Sequence, residues 1–192
     1  MGYTRQELEA FRDATVPDLV IPPVKLLFVG INPGLWTAAT QTHFAYPGNR
    51  FYPALLKAGI IDWSIDPSAG MTDDDRRRFT ERGLGISNVA PRATAKASEL
   101  SNEELRQGAE RLVASIELWR PTVVAIAGIT AYRTGFSRPR AIMGRQSELI
   151  GGAELWVLPN PSGLNAHESI DSLAAWYRQA SDAAGATERE IG

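Results

Sequence analysis

The sequence predicts a single α/β domain, a three-layer α/β/α sandwich around a central, mainly parallel four-stranded sheet. Three observations predict it. Short apolar runs at Lys25–Gly30, Leu84–Val89, Val123–Gly128 and Glu154–Leu158 read as strands buried on both faces. Segments with helical spacing of apolar residues alternate with these runs, and a strand–helix–strand order is met by parallel strands with helices on both faces. The length of 192 residues, 44% of them hydrophobic, suits one substantial core, and no internal repeat or low-complexity tract marks a second domain.

The elements follow in order. Residues 4–14 read as an amphipathic helix, with Thr4 and Glu7 at capping-box spacing and Leu8 and Phe11 on the apolar stripe. Residues 1–23 are thus an N-terminal helix and a proline-punctuated connector. After the first strand, residues 31–50 form a long loop rich in Gly, Pro, Thr and aromatics. Phe51 to Ala58 is a short helix closed by Gly59. Asp73, Asp74 and Asp75 precede Arg76, Arg77 and Arg78, an order that complements a helix dipole and predicts a solvated helix. The second strand is followed by Pro91 and Arg92. Ser101 and Glu104 form another capping box, and Leu105, Ala109, Leu112, Val113, Ile116 and Trp119 mark a helix that Pro121 stops. Between the third and fourth strands lies a helix or loop. A final helix spans roughly 169–183, and residues 185–192 are expected to fray.

Composition narrows the chemistry. There are no cysteines, so no disulfide framework, thiolate zinc site or catalytic thiol. Two histidines, His43 and His167, are too few for most His-built metal sites, and no metal or other cofactor is expected. The first residues, MGYTRQELEA, lack the apolar stretch of a secretory signal, and no run approaches membrane-spanning length. A cytoplasmic protein without membrane partners is expected. A net charge of −2 does not advertise a nucleic-acid binder. Binding is local, however, and Arg50, Lys57, Arg92, Lys96, Arg138, Arg140 and Arg145 lie near the loops and could form a basic face; the alternative is that they are scattered solubility groups.

In doubly wound sheets ligands bind beyond the carboxyl ends of the strands. Three of those ends carry unusual loops: Gly30-Ile31-Asn32-Pro33-Gly34, Gly128-Ile129-Thr130 and Asn160-Pro161-Ser162-Gly163. In the first, glycines permit a sharp turn and close approach, and Pro33 stiffens a loop that holds the neutral amide of Asn32. The glycine spacing fits neither a dinucleotide fingerprint nor a P-loop. A plain turn capped by Asn32 is the competing reading. In the third, Leu164 is either tucked into the core or is a wedge that enters a base stack. Ser162 lacks a nucleophile elbow, and its spacing from His167 does not establish a hydrogen bond.

From about Val24 to about Arg178 the sequence resembles the mismatch-specific uracil and thymine DNA glycosylases of the uracil-DNA glycosylase superfamily. The resemblance is carried by Gly30-Ile31-Asn32-Pro33-Gly34-Leu35, by Phe44-Ala45-Tyr46-Pro47-Gly48-Asn49-Arg50-Phe51, and by Leu158-Pro159-Asn160-Pro161-Ser162-Gly163-Leu164. It implies that Asn32 orients the attacking water and that Phe44 stacks on a flipped base. Ile31 would add a backbone contact to that base, and Asn160 would lie on the catalytic side of the last motif. Thr37 would sit near the pyrimidine C5 edge. Leu164 would fill the gap left in the helix, with backbone groups of Gly163 and Asn165 facing the widowed guanine. The sequence departs from some relatives in having Asn165-Ala166-His167 without an arginine, and at Trp36 and Tyr46.

The implied partner is double-stranded DNA with G·U or G·T mismatches, acted on by a monomer. Extruding a base costs a few kcal/mol, less at a mismatch. Stacking on an aromatic such as Phe44 returns roughly 1–3 kcal/mol. Asn32 can accept a hydrogen bond from water but cannot take up its proton, so turnover is expected to be modest. The competing functions are a non-catalytic nucleotide-binding α/β domain and a hydrolase of another class using Ser162 or a distant carboxylate.

Overall fold

The computed structural model describes residues 2–186. Five strands carry the architecture: β1 (Leu26–Gly30), β2 (Leu84–Asn88), β3 (Val123–Ala127), β4 (Gly144–Ile150) and β5 (Ala153–Leu158). They form one sheet in the order β2-β1-β3-β5-β4. β1 pairs in parallel with β2 and β3, and β3 in parallel with β5. The apolar runs became these four parallel strands because each is buried along its length and must satisfy its backbone within a ladder.

The expected four strands are therefore five. β4 runs antiparallel to β5, closing a hairpin through Gly151 and Gly152, both at positive φ. Its sequence, Gly-Arg-Gln-Ser-Glu-Leu-Ile, has no apolar run, because it is an edge strand buried only near its ends. β4 is an open edge and carries the charge and polarity that hide it from a reading based on apolar runs, whereas β2, at the other edge, is covered by a bridge from Leu19 to Ile86 and stays apolar.

Seven helices flank the sheet among the described residues: α1 (Arg5–Glu9), α2 (Leu35–Thr40), α3 (Phe51–Lys57), α4 (Asp73–Glu81), α5 (Asn102–Trp119), α6 (Ile129–Gly135) and α7 (Ile170–Ala184). Alternate strand residues face opposite layers. Leu26, Phe28, Val123 and Ala125 join the cluster containing Phe51, Phe79 and Tyr177. Leu27, Val29, Val124 and Ile126 join that of Leu112, Ile116 and Tyr132. This period of two is what a strand between two helical layers requires.

The capping boxes at Thr4, Thr72 and Ser101 are all formed, each side chain accepting the N–H three residues on. The first helix is shorter than the expected 4–14, giving way to turns after Glu9 and to a left-handed Asp13. The long loop after β1 contains the short helix α2, and the segment after β3 is α6. Gly185 closes α7 in the left-handed conformation and Ala186 is buried, so the expected fraying does not begin at 185. Residues 187–192 of that tail lie outside the described residues.

Candidate active site

The carboxyl ends of β1, β2, β3 and β5 open onto one cleft of about 170 Å³. Ile31, Asn32, Thr37, Phe44, Asn88, Thr94, Ala127 and Asn160 are among its lining residues. The sheet topology makes this convergence unavoidable, since parallel strands deliver their trailing loops to the same edge.

Asn32 sits on the loop just beyond β1. Its Nδ2 donates to the carbonyl of Arg92 at 2.8 Å, to Thr94 Oγ1 at 2.8 Å and to the carbonyl of Pro33 at 3.1 Å. Carbonyls only accept, so the amide orientation is fixed: the NH₂ end faces protein, and Oδ1 is left as an unengaged acceptor at the cleft. The loop itself is tied down by Val89 N–H on Gly30 O, Ala90 N–H on Ile31 O and Thr94 N–H on Pro33 O. Two of the three partners of Asn32 lie 60 and 62 residues away in sequence, so the amide does more than close its own turn through Pro33. The carbonyl of Ile31 accepts one hydrogen bond, from Ala90 N–H, which ties the loop to the segment after β2.

Arg92 anchors this arrangement from behind. Its guanidinium binds Glu104 and Asp13, and it donates to the carbonyl of Glu99. The guanidinium and the Ser101 backbone hold the Glu104 carboxyl down to about 2. Arg92 is thus a positioning group rather than part of a free basic face.

Phe44 is half-buried and adopts φ +55, a left-handed conformation that a bulky side chain rarely takes. Its ring stacks on the fully buried Phe51 at 4.1 Å and 24°, and Phe51 meets Phe28 and Tyr177 edgewise or tilted. An aromatic pair contributes about 0.5–1.5 kcal/mol, whereas such a backbone costs about 1–3 kcal/mol. The two are of similar size, so stacking on Phe51 and burial against the core offset the backbone cost. The outcome is an aromatic column that rises from the core and ends at the cleft.

Thr37, on α2, is buried, and its Oγ1 accepts from Ala45 N–H at 3.4 Å. Asn160 Oδ1 accepts from Ser162 N–H and its carbonyl accepts from Asn165 Nδ2, which leaves the Asn160 NH₂ as an unengaged donor at the cleft.

The loop beyond β5 is built differently. Leu164 is 88% exposed, so it is not a core leucine. Arg50 clamps the loop from the other side, donating to the carbonyls of Gly163 (2.9 Å), Asn165 (3.2 Å) and Glu168. Its own N–H donates to Pro161 O. Gly163 packs so closely on Gly48 that an added Cβ would lie 2.5 Å from the Gly48 carbonyl oxygen. The carbonyls of Gly163 and Asn165 thus point at Arg50, and Asn165 N–H is bound to Ser162 O. Ser162 Oγ accepts from Leu164 N–H and makes no hydrogen bond with His167, so the serine-hydrolase reading has no geometry behind it.

Of the two readings of the basic residues near the loops, the structure favours scattered, individually paired groups over a free basic face. Lys57 pairs with Asp171, Arg138 with Glu148 and Arg145 with Glu154, while Arg50 and Arg92 are engaged as above. Carboxylates and backbone carbonyls close to these cations capture them, a matter of tertiary proximity that charge counting does not see. Lys96 and Arg140 are exposed. Among the described residues no carboxylate or imidazole lines the cleft. Among the described residues no His/Cys/Asp/Glu group could hold a metal ion, and no helix is long and apolar enough to cross a membrane.

Sequence reasoning missed Asn88 and His43. Asn88 ends β2 and lines the cleft; its Nδ2 lies 3.1 Å from Nδ1 of the buried His43. The signal was present, because Asn88 follows an apolar strand just as Asn32 and Asn160 do. His43 gave no signal, since an isolated histidine in a loop does not reveal its burial.

Two comparisons with known proteins bear on the family and the fold of the chain. The family model of the uracil DNA glycosylase superfamily matches residues 17–181. The solution NMR structure of a candidate uracil DNA glycosylase from Methanosarcina acetivorans superposes with a TM-score of 0.57 at 17% identity, covering 87% of this chain and 97% of that one. The second likeness establishes the shared fold, an α/β sandwich around a mostly parallel sheet. The first covers most of the chain: this protein belongs to the uracil DNA glycosylase superfamily.

Proposed function

We propose that this member of the superfamily is a monofunctional, mismatch-directed glycosylase that removes uracil from double-stranded DNA and leaves an abasic site. One observation carries the proposal: Asn32 has its NH₂ end tied to protein and its Oδ1 free at the cleft, beside the Phe44 column.

The reaction needs a pyrimidine outside the helix, because a stacked base cannot present its glycosidic bond to a cleft. Phe44 offers one face for that base. Asn32 Oδ1 accepts a hydrogen bond from a water and aims its oxygen at the sugar C1′. As the C1′–N1 bond breaks, its electron pair leaves with the pyrimidine, and the water oxygen bonds to C1′ and sheds its proton to solvent. Unengaged amide donors of the cleft, Asn160 among them, stabilise the negative charge on the departing base as an oxyanion hole does. With no acid or base in the cleft lining, the 10²–10⁴-fold that acid–base catalysis typically adds has to come from elsewhere or is forgone. A slow enzyme is expected. Buried Thr37 crowds the C5 side of the base and favours uracil over thymine. Preference for G·U and G·T then comes chiefly from cheaper opening of a mismatch, since the Gly163 and Asn165 carbonyls are turned toward Arg50.

The test is a labelled duplex carrying one G·U pair, incubated with enzyme and chelator and then treated with hot alkali. Strand scission only after alkali, faster for G·U than for A·U and slowed by added salt, is expected. An intact strand at stoichiometric enzyme and long incubation would remove this reading and favour a nucleotide-binding domain without catalysis.

A further inference from the structure

His43 is 3% exposed, and both of its ring nitrogens are engaged by protein. Its Nε2 lies 3.0 Å from the carbonyl of Pro17, and its Nδ1 lies 3.1 Å from the side-chain amide of Asn88. Burial, reinforced by the nearby Arg76 cation, holds the ring's pKa down to about 4 despite the Pro17 contact. The ring is therefore neutral at physiological pH and carries one proton. A carbonyl can only accept, so that proton is on Nε2. Nδ1 is then a bare lone pair, and the Asn88 atom facing it has to be the NH₂ group.

This chain of donors fixes which end of the Asn88 amide the cleft sees. One Nδ2 hydrogen is spent on His43; Oδ1 and the second hydrogen have no protein partner among the described residues. Gly30 leaves room for them: an added Cβ there would lie 2.6 Å from Asn88 Oδ1 and 3.3 Å from the Phe44 ring. The amide edge and the aromatic platform therefore meet over one glycine, as a flat ligand needs.

We infer that His43 is a positioning residue for base selection, locking the Asn88 amide in the orientation that reads uracil and rejects cytosine. The inference rests on the glycosylase reading above. Uracil presents an N3–H donor beside a carbonyl acceptor, which matches an amide offering Oδ1 beside an N–H. Cytosine presents the reverse, an N3 lone pair beside an amino group, and would need the amide flipped. Flipping would put Oδ1 against the Nδ1 lone pair of His43, two acceptors at hydrogen-bond distance. A site built on matched hydrogen bonds rejects the wrong partner strongly, because its polar groups are left unpaired.

The tautomer can be measured directly. The chain has two histidines, so ¹⁵N–¹H long-range correlation spectra of the full-length protein contain two imidazole patterns, and His43→Phe assigns them. The expected result is an Nε2–H pattern for His43 that stays unchanged between about pH 5.5 and 8. An Nδ1–H pattern, or a ring that titrates in that range, would overturn the inference whatever the enzyme cleaves. The second measurement is single-turnover excision of uracil and of cytosine, each opposite a tetrahydrofuran spacer so that neither is paired. In folded His43→Phe the ratio of uracil to cytosine rates should fall by about tenfold or more, because the amide can turn. A purely structural role would slow both reactions and leave the ratio unmoved, and that result would also overturn the inference. Should His43→Phe not fold, His43→Leu, which also lacks an acceptor for the Asn88 amide, replaces it in the ratio measurement and the wild-type tautomer remains decisive. A wild-type enzyme that leaves uracil in place refutes the glycosylase reading instead, so the two failures are distinct.

Discussion

The two loops that face each other across the cleft are built on opposite rules. The loop after β1 turns its functional amide inward onto protein carbonyls and leaves one acceptor free; the loop after β5 turns its carbonyls inward onto Arg50 and leaves an apolar side chain in solvent. The first arrangement suits a group that must not move during a reaction. The second suits a side chain whose partner arrives from outside, since an exposed leucine supported by a clamped backbone is already placed for insertion. Rigidity is thus spent at the side chain in one loop and at the backbone in the other.

Replacing Asn32 with Ala should break the first loop's function outright. Single-turnover excision should fall by about 10²–10³-fold, the scale of losing a preorganised amide, while duplex binding persists. Near-normal cleavage would mean that the pinned amide is only a structural tie and the contrast between the loops is empty.

The side of the β1 loop also carries buried His43, whereas His167, beyond the β5 loop, is exposed. The pKa of His43 drops from 6.5 to about 4 on folding, so below pH 6.5 the unfolded chain binds a proton that the native state refuses. Stability is then complete above pH 6.5 and is lost as pH falls toward 4, by roughly 3 kcal/mol at most. Denaturant titrations across that window should show the loss, and His43→Phe should flatten it.

Gly163→Ala probes the clamp of the second loop. The new methyl group meets backbone rather than a yielding side chain, so a loss of about 1–3 kcal/mol in stability and about tenfold in excision rate is expected. An unchanged rate in the folded variant would show that the wedge loop tolerates displacement and that its clamping is incidental.

Leu164→Ala should have the smallest effect and the most selective one. Stability should stay within about 0.5 kcal/mol, because the side chain is in solvent. Excision should drop several-fold on stable duplexes and less on weak mismatches, where opening is cheap. Equal losses on both substrates would leave no role for a wedge.

Much of this was legible beforehand. Four buried strands are visible as apolar runs because a strand covered on both faces has to be apolar throughout, and capping boxes are visible because their partners lie three residues apart. Asn32, Phe44, Asn160 and Leu164 could be singled out because stiff loops at strand ends are conspicuous and their motifs resemble a known superfamily. β4 was not legible, since an uncovered edge strand keeps polar residues, unlike β2 at the covered edge, and its pairing with β5 is the main sign of it. Whether the basic residues near the loops form a face stayed open in the sequence for a related reason: which arginine meets a carboxylate depends on parts of the chain distant in sequence, as Arg92 with Asp13 shows.

The sequence by itself determined the alternation of elements, the period of burial and the identity of the groups at the strand ends, because these follow from local spacing and side-chain chemistry. The tertiary structure alone decided which way those groups point. The orientation of an amide depends on which neighbour donates and which accepts. For Asn32 that neighbour is Arg92 and Thr94, for Asn88 it is a histidine 45 residues away whose own proton is placed by Pro17, and only the folded chain brings them together.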